Sequence, residues 1–287
     1  MAVVAILGAT GQLGTDLCRR FAEANWRVAA LGHSDLDLAE PAAAGDLLGR
    51  LRPSLVINAA AMHNVEQCEA DPARAFAVNT LGSRALAITC RALDAPLIQI
   101  STDYVFDGCQ SQPYAETDTP RPLNVYATSK LAGEHAVLAE WERSFVVRVS
   151  GLYGQAPCRA KGGINFVQRM LALARERPEI RVVDDEILTP THTDDIARQM
   201  IVLARTEAYG ICHATAQGAC SWHDFAAHIL KAANYQGVLR RADPGEFPAK
   251  VRRPKYTVLH NNVLRRHGID VLPSWQDGVD AYLRTLL

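Results

Sequence analysis

Tyr126-Ala127-Thr128-Ser129-Lys130 is the stretch of this chain with the clearest chemical meaning. A tyrosine and a lysine four residues apart share one face of a helix, so both reach a single ligand. An ammonium beside a phenol favours the phenolate, which predicts a lowered pKa and a usable acid for a carbonyl oxygen. Only five of the 287 residues are lysine, and no other tyrosine has a lysine at this spacing. A hydroxyl to polarise the carbonyl is offered by Thr102 in Ser101-Thr102-Asp103-Tyr104-Val105-Phe106-Asp107-Gly108, a cluster whose other reading is a set of turn caps. The loop Gly8-Ala9-Thr10-Gly11-Gln12-Leu13-Gly14 follows an apolar run and opens a helical pattern. Glycines placed there let the backbone turn tightly and approach a pyrophosphate seated on the helix N-terminus. An acid, a hydroxyl and a dinucleotide loop together describe hydride transfer to a carbonyl.

These groups need a scaffold, and the apolar patterning predicts one. Runs at 3–7, 27–31, 55–58, 97–101 and 145–149 read as strands buried on both faces, with helical stretches between them at 11–24, 42–51, 72–92 and 126–143. Strand and helix alternating in this way predict an α/β, Rossmann-like doubly wound parallel sheet. The glycine loop then leaves the first strand, and Thr102 ends the fourth, where open α/β sheets hold ligands. Beyond residue 150 the rhythm loosens, with helices expected at 163–177 and 193–206, a strand at 181–183, and a helix capped by Ser221. The expected organisation is a dinucleotide-binding unit over 1–150, joined by 184–207. A smaller, partly interleaved substrate unit takes up 151–183 and 208–287.

An acid at the end of the second strand selects NAD by binding the ribose 2′-hydroxyl and repelling a 2′-phosphate. The residue there is Gly32, followed by His33 and Ser34, which leaves room for NADP; Asp35, three residues on, argues the other way. Composition narrows the classes further. Hydrophobic residues make up 48% and charged residues 21%, values that exclude wholesale disorder. A net charge of −1 gives no global attraction to nucleic acid or an anionic membrane. No apolar run approaches the ~20 residues a spanning helix needs. Seven scattered cysteines without a C-x-x-C pair predict reduced thiols of a cytoplasmic protein, and nine dispersed histidines predict no metal site.

Along almost its whole length the sequence resembles the dTDP-4-dehydrorhamnose reductase family of extended short-chain dehydrogenases/reductases. The matching segments are GATGQLG at 8–14, LDL at 36–38, NAAA at 58–61, VNT at 78–80 and STDYVFDG at 101–108. PLNVYATSKLAGE at 122–134, VVDDEILTPTHTDDIA at 182–197, SW at 221–222 and RRP with VL at 252–259 complete them. The resemblance implies NADPH-dependent reduction of a nucleotide-linked 4-keto-6-deoxy sugar, with NADH as the alternative cofactor. Tyr126 is then the general acid, Lys130 holds the nicotinamide ribose, and Thr102 polarises the carbonyl. Gly8, Thr10, Gly11, Gln12, Leu13 and Gly14 cradle the pyrophosphate. His33 and Ser34 face the 2′-position, Asp37 and Leu38 lie by the adenine, and Ala59, Ala60 and Ala61 line the cleft. Asn79 matches an asparagine associated with the proton relay, and Thr102, Asp103 and Arg253 are the implied substrate contacts. A homodimer is the expected assembly, with no nucleic-acid or membrane partner.

The chain departs from the family pattern at several points. Met62 follows NAAA where an aromatic is common, and Gly151-Leu152 stands where a tryptophan covering the sugar is frequent. The insertion 155–163, with Arg159 and Lys161, reads equally as a substrate loop or a solvated linker. Lys250, Arg252, Arg253 and Lys255 read as a diphosphate site or as an exposed charge run. Two other functions stay open at this stage: another nucleotide-sugar epimerase or reductase of the superfamily, and a non-catalytic dinucleotide-binding subunit like the β subunit of methionine adenosyltransferase.

Overall fold

The computed structural model describes residues 1–40, 43–157, 162–243 and 245–287. Its strands are β1 (Val3–Leu7), β2 (Arg27–Leu31), β3 (Leu55–Asn58), β4 (Leu97–Thr102), β5 (Ser144–Val149), β6 (Leu152–Tyr153), β7 (Glu179–Val182), β8 (Ile187–Leu188), β9 (Thr191–His192), β10 (Gly210–His213), β11 (Cys220–Ser221) and β12 (Val238–Arg241). The helices are α1 (Gln12–Glu23), α2 (Ala43–Leu51), α3 (Val65–Ala70), α4 (Pro72–Phe76), α5 (Ser83–Ala92), α6 (Val125–Glu140), α7 (Phe166–Glu176), α8 (Thr193–Leu203), α9 (Trp222–Ala232), α10 (Asn262–Arg266) and α11 (Trp275–Leu283).

Six strands form one sheet in the order β10-β5-β4-β3-β1-β2, every pair parallel. Because side chains alternate across a strand, Val4 and Ile6 of β1 pack with Leu17 and Phe21 of α1 and Ile196 and Met200 of α8. Ala5 and Leu7 point the other way, into a layer with Leu48 of α2, Leu86 of α5 and Val137 of α6. Both faces are covered, which is why these strands read as continuous apolar runs. A second core joins α7, α9 and α11 to β7 and β12 through Val167, Phe225, Ile180 and Tyr282.

The partition of the chain differs from expectation within 208–287. Gly210–His213, assigned above to the substrate unit, is the sixth strand of the main sheet. Leu264 of α10 and Leu272 also pack into the first core. A strand of four residues, one of them a glycine, carries too little apolar pattern to announce itself; pairing with β5 makes it.

The stretch 72–92, expected as one helix, is α4, a π-helical turn at Ala77–Gly82, and α5. The cause is tertiary. A Cβ at Gly133 of α6 would lie 2.2 Å from the Asn79 carbonyl oxygen, so the two helices meet backbone to backbone around the π turn. A second close join involves Gly154, whose carbonyl accepts from Gln12 Nε2, Asn165 Nδ2 and the Tyr282 hydroxyl.

Two alanine substitutions separate these effects. Gly133→Ala forces the π turn away and should cost about 1–3 kcal/mol, the scale of overpacking. Gly45→Ala, in α2 with nothing within 4 Å of the added methyl, should stabilise by ~0.5–1 kcal/mol through the unfolded chain. Thermal unfolding of the two variants should show opposite shifts.

Candidate active site

The glycine loop leaves β1 at Gly8, held at a φ of +74°. A Cβ there would lie 2.7 Å from the Ala60 nitrogen, and one at Gly14 would lie 2.0 Å from the Gly8 carbonyl oxygen. Both positions are therefore closed by backbone. At Gly11 an added Cβ would meet only the Gly8 carbonyl oxygen, at 3.3 Å. Gly11 is also the N-cap of α1, which has no side-chain cap and no acid in its first turn. Free N–H groups at a helix start beside an approachable backbone fit a dinucleotide pyrophosphate. The sheet order reverses between β1 and β3 at this point, the switch point where such sheets bind ligands.

Several implied cofactor residues sit differently from expectation. Leu13 and Leu38 are buried in the two cores, so only their backbone is available to a ligand. Gln12 turns its amide to Gly154. Asp37 accepts from Arg74 of α4 at 2.6 Å and from the Ala39 N–H, and the Arg74 charge helps hold its carboxyl below the usual range. Thr10, His33 and Ser34 are exposed at the end of their strands. Asp35 folds back so that its carboxylate accepts the Gly32 N–H at 2.7 Å. Gly32 supplies no acid, yet one stands beside it. Ala59, Ala60 and Ala61 are half-buried along the loop after β3.

Asn79 is buried, and its side chain is spent on structure. Its amide donates to the Met62 carbonyl and to Ser129 Oγ, and its oxygen accepts the Met62 N–H. Its amide thus ties the loop after β3 to α6.

Thr102, Tyr126 and Lys130 converge at the C-terminal edge of the sheet. Asn124 starts α6 by accepting the Ala127 N–H, and it donates to the Arg252 carbonyl, so one residue caps the helix and tethers the RRP segment. The Thr102 hydroxyl is shared between Asp103 Oδ1, at 3.0 Å, and the Tyr126 phenol. Tyr104 meets Tyr126 edge-on, with ring centroids 6.2 Å apart. Lys130 is buried and donates to the Ile100 carbonyl at 2.7 Å.

The expected lowering of the Tyr126 pKa does not occur. Burial pushes the phenol up, and the charge of Asp103 adds to it, while the Thr102 hydroxyl only partly offsets both. Burial also pulls the Lys130 ammonium down to about 8, against the pull of Glu134. Asp103, implied as a substrate contact, is buried instead, and burial raises its pKa against hydrogen bonds from Ser150, Thr257 and Thr102. It fixes Thr102 from behind.

Arg253 reaches the mouth of the site. Its Nη2 donates to Glu66 of α3 at 2.8 Å, its Nε is buried without a partner, and its charge acts on Tyr104. Lys255 pairs with Asp185, while Lys250 and Arg252 are exposed. Gly151 has a φ of +57°, and a Cβ there would sit 2.9 Å from Leu188, so no tryptophan fits that position. Cys158, Arg159 and Lys161 of the insertion lie outside the described residues.

Sequence reasoning missed Asn124, Ser150, Glu66 and Tyr104 as parts of the site. Asn124 alone carried a signal, an Asn just before a helical pattern; Glu66 meets Arg253 across 187 residues. Among the described residues, two trios come close enough to hold a cation, His192 with Asp194 and Asp195, and Asp184 with His223 and Asp224. In the first the Asp194 carboxylate is already bonded by Arg19, Arg20 and Arg198, and in the second Asp184 is bonded by Ser221 and Arg241. Burial pushes the thiols of Cys90, Cys212 and Cys220 up to about 12, so they are poor nucleophiles.

A doubly wound sheet with a glycine loop at its switch point, and a Thr–Tyr–Lys set on the neighbouring strand and helix, defines a Rossmann-type protein of the short-chain dehydrogenase/reductase class. The chain belongs to the family described as the RmlD substrate binding domain, which matches residues 1–287. A spore coat polysaccharide biosynthesis protein, SpsK of Bacillus subtilis, is 35% identical over 99% of this chain and 98% of its own length. A dTDP-4-dehydrorhamnose reductase of Streptomyces griseus is 36% identical over 94% of this chain and 90% of its own length. The crystal structure of dTDP-4-dehydrorhamnose reductase from Bacillus anthracis in complex with NADP matches with a TM-score of 0.93 and 35% identity, covering 99% of this chain and 100% of that one.

Gly11→Ala should fold normally and weaken dinucleotide binding roughly tenfold or more, since each 1.4 kcal/mol lost at the pyrophosphate is a factor of ten. Gly14→Ala, closed by backbone, should instead lower the unfolding temperature whether or not ligand is present. Calorimetric titration alongside thermal melts distinguishes the two.

Proposed function

We propose that this protein reduces a nucleotide-linked 4-keto-6-deoxy sugar of the dTDP-4-dehydrorhamnose type with NADPH. The observation that carries the reading is the meeting of Thr102, Tyr126 and Lys130 beside the glycine loop, and the names of the relatives support it. NADPH, bound along the glycine loop and the end of β3, supplies a hydride. The chain's own residues do the rest. The single Thr102 hydroxyl proton, given to Asp103 Oδ1 in the free protein, turns to the keto oxygen when substrate binds. Tyr126 enters the reaction protonated, because burial holds its phenol up, and gives that proton to the oxygen. Lys130 stabilises the phenolate left behind and holds the nicotinamide ribose. Arg253, a half-buried cation whose Nη2 is held by Glu66, suits the diphosphate of the substrate.

Free thiols at Cys18, Cys68, Cys90, Cys109, Cys212 and Cys220 support a reducing compartment such as the cytoplasm. No helix among the described residues is long and apolar enough to cross a membrane. The second core, which flanks the Arg253 segment, is proposed as the substrate side.

Mixing the enzyme and NADPH with a panel of nucleotide-linked keto sugars tests the reading directly. NADPH should be consumed and the 4-keto group reduced. Tyr126→Phe should bind NADPH nearly normally and lose about 10²–10⁴-fold in kcat, the scale of a positioned acid. Wild-type turnover in that variant sinks the mechanism, and no NADPH consumption with any sugar, while NADPH binds, favours a regulatory subunit.

The cofactor preference has its own check. NADPH should bind more tightly than NADH, and Gly32→Asp should reverse the order, because a second carboxylate beside Asp35 repels a 2′-phosphate. Titration followed by nicotinamide fluorescence reads both.

A further inference from the structure

Glu134 and Arg148 have no role in the chemistry above, yet they form the most deeply buried ion pair among the described residues, each side chain 1% exposed. Arg148 holds the carboxylate from two sides, with Nη2 2.6 Å from Oε2 and Nε 3.0 Å from Oε1. Ser101 donates its hydroxyl to the same carboxylate. The remaining arm of Arg148 lies 3.5 Å from His213 Nε2, while His213 Nδ1 is 3.1 Å from the His260 carbonyl. A carbonyl only accepts, so Nδ1 carries the hydrogen and Nε2 takes one from Arg148. Burial and the Arg148 charge push His213 down to about 3, so it is neutral. The guanidinium also sits over the Phe106 ring, 5.2 Å from its centroid.

A pair buried this deeply adds little stability over apolar packing of the same volume. Its placement gives it another use. Glu134 follows Lys130 by four residues on α6, one turn along the same face. Lys130 Nζ is buried against a main-chain carbonyl, and the carboxylate of Glu134 is the charge that opposes its desolvation. Near this end of α6 lie Tyr126 on the helix, Asp103 and Tyr104 after β4, Cys68 and Glu69 on α3, and Arg148 on β5. Arg74 of α4 is bonded to Asp37, and Arg84 and Arg91 of α5 meet Glu140 at the far end. Arg148 alone pairs directly with this carboxylate, while Lys130, one turn away on α6 and bonded to the neighbouring strand residue Ile100, feels its charge without touching it; of the two cations only the lysine can shed its proton.

Resting on the reductase reading above, we infer that Glu134 is a positioning residue for this reaction: it keeps the Lys130 ammonium charged and in place, while Arg148 and Ser101 hold Glu134 in the geometry that does so. Removing the carboxylate lowers the Lys130 pKa, so the ammonium persists only at lower pH. The alkaline limb of both NADPH binding and kcat/KM must then move down.

The experiment measures both quantities from neutral to alkaline pH in the wild type and four variants. Glu134→Gln should move the limb down by about one pH unit or more, a tenfold change in the proton affinity of Lys130. Glu134→Gln/Arg148→Gln should keep the limb below the wild-type position, because the carboxylate is missing there too. Glu134→Asp retains the charge on a shorter arm, so its limb should stay while kcat/KM falls evenly; this variant decides if Glu134→Gln does not fold. Lys130→Met should show no limb. Activity lowered equally at every pH in Glu134→Gln, a wild-type limb in the double variant, a shifted limb in Glu134→Asp, or a limb persisting in Lys130→Met overturns the inference. Failure of every sugar to react is instead a failure of the reductase reading, and the NADPH-binding limb still tests Glu134.

Discussion

The last residues of β4 hand successive groups to their surroundings, and the site depends on that register. The Ile100 carbonyl takes the Lys130 ammonium, the Ser101 hydroxyl goes to Glu134, and the Thr102 hydroxyl serves Asp103 and Tyr126. In a strand successive side chains point to opposite faces, whereas α6 repeats every 3.6 residues. Only one placement of α6 along the strand lets Tyr126, Lys130 and Glu134 all meet their partners. The Gly133 contact with the Asn79 carbonyl fixes how near α6 can come, and Asn124 fixes where it starts. The π turn follows from this placement, since a regular helix would put side chains where α6 must lie.

Much of this was legible in the chain. The strands β1, β2 and β3 fall at their expected limits because each is an apolar run flanked by a helix pattern or turn. The Tyr126–Lys130 spacing and the glycine loop named the chemistry, since both encode a local geometry that needs no distant partner. What was illegible came from tertiary contact. The π turn needs Gly133, the sixth strand needs β5, and Glu66 meets Arg253 only in the fold. Leu13 and Leu38 lie in the right loops, yet apolar side chains beside a sheet go to its core.

The sign of the Tyr126 shift is instructive in the same way. Spacing identified a cation near a phenol but was silent on how much water each would lose. With Lys130 turned to a carbonyl and the phenol packed against Tyr104, desolvation dominates and only the Thr102 hydroxyl works against it. A phenol that stays protonated is a better starting point for donating a proton than for accepting one.

The carbonyl of Gly154 receives donors from the glycine-loop helix, from the start of α7 and from α11. An oxygen with two lone pairs bonded by three groups from separate parts of the chain works as a weld. Rotating one core against the other would break buried bonds with nothing to replace them. A jaw-like closure is thus mechanically disfavoured, and accommodating a larger or smaller ligand falls to side chains around the site. Changes of ligand preference should then arise from substitutions there, with the frame that holds the dinucleotide left as it is.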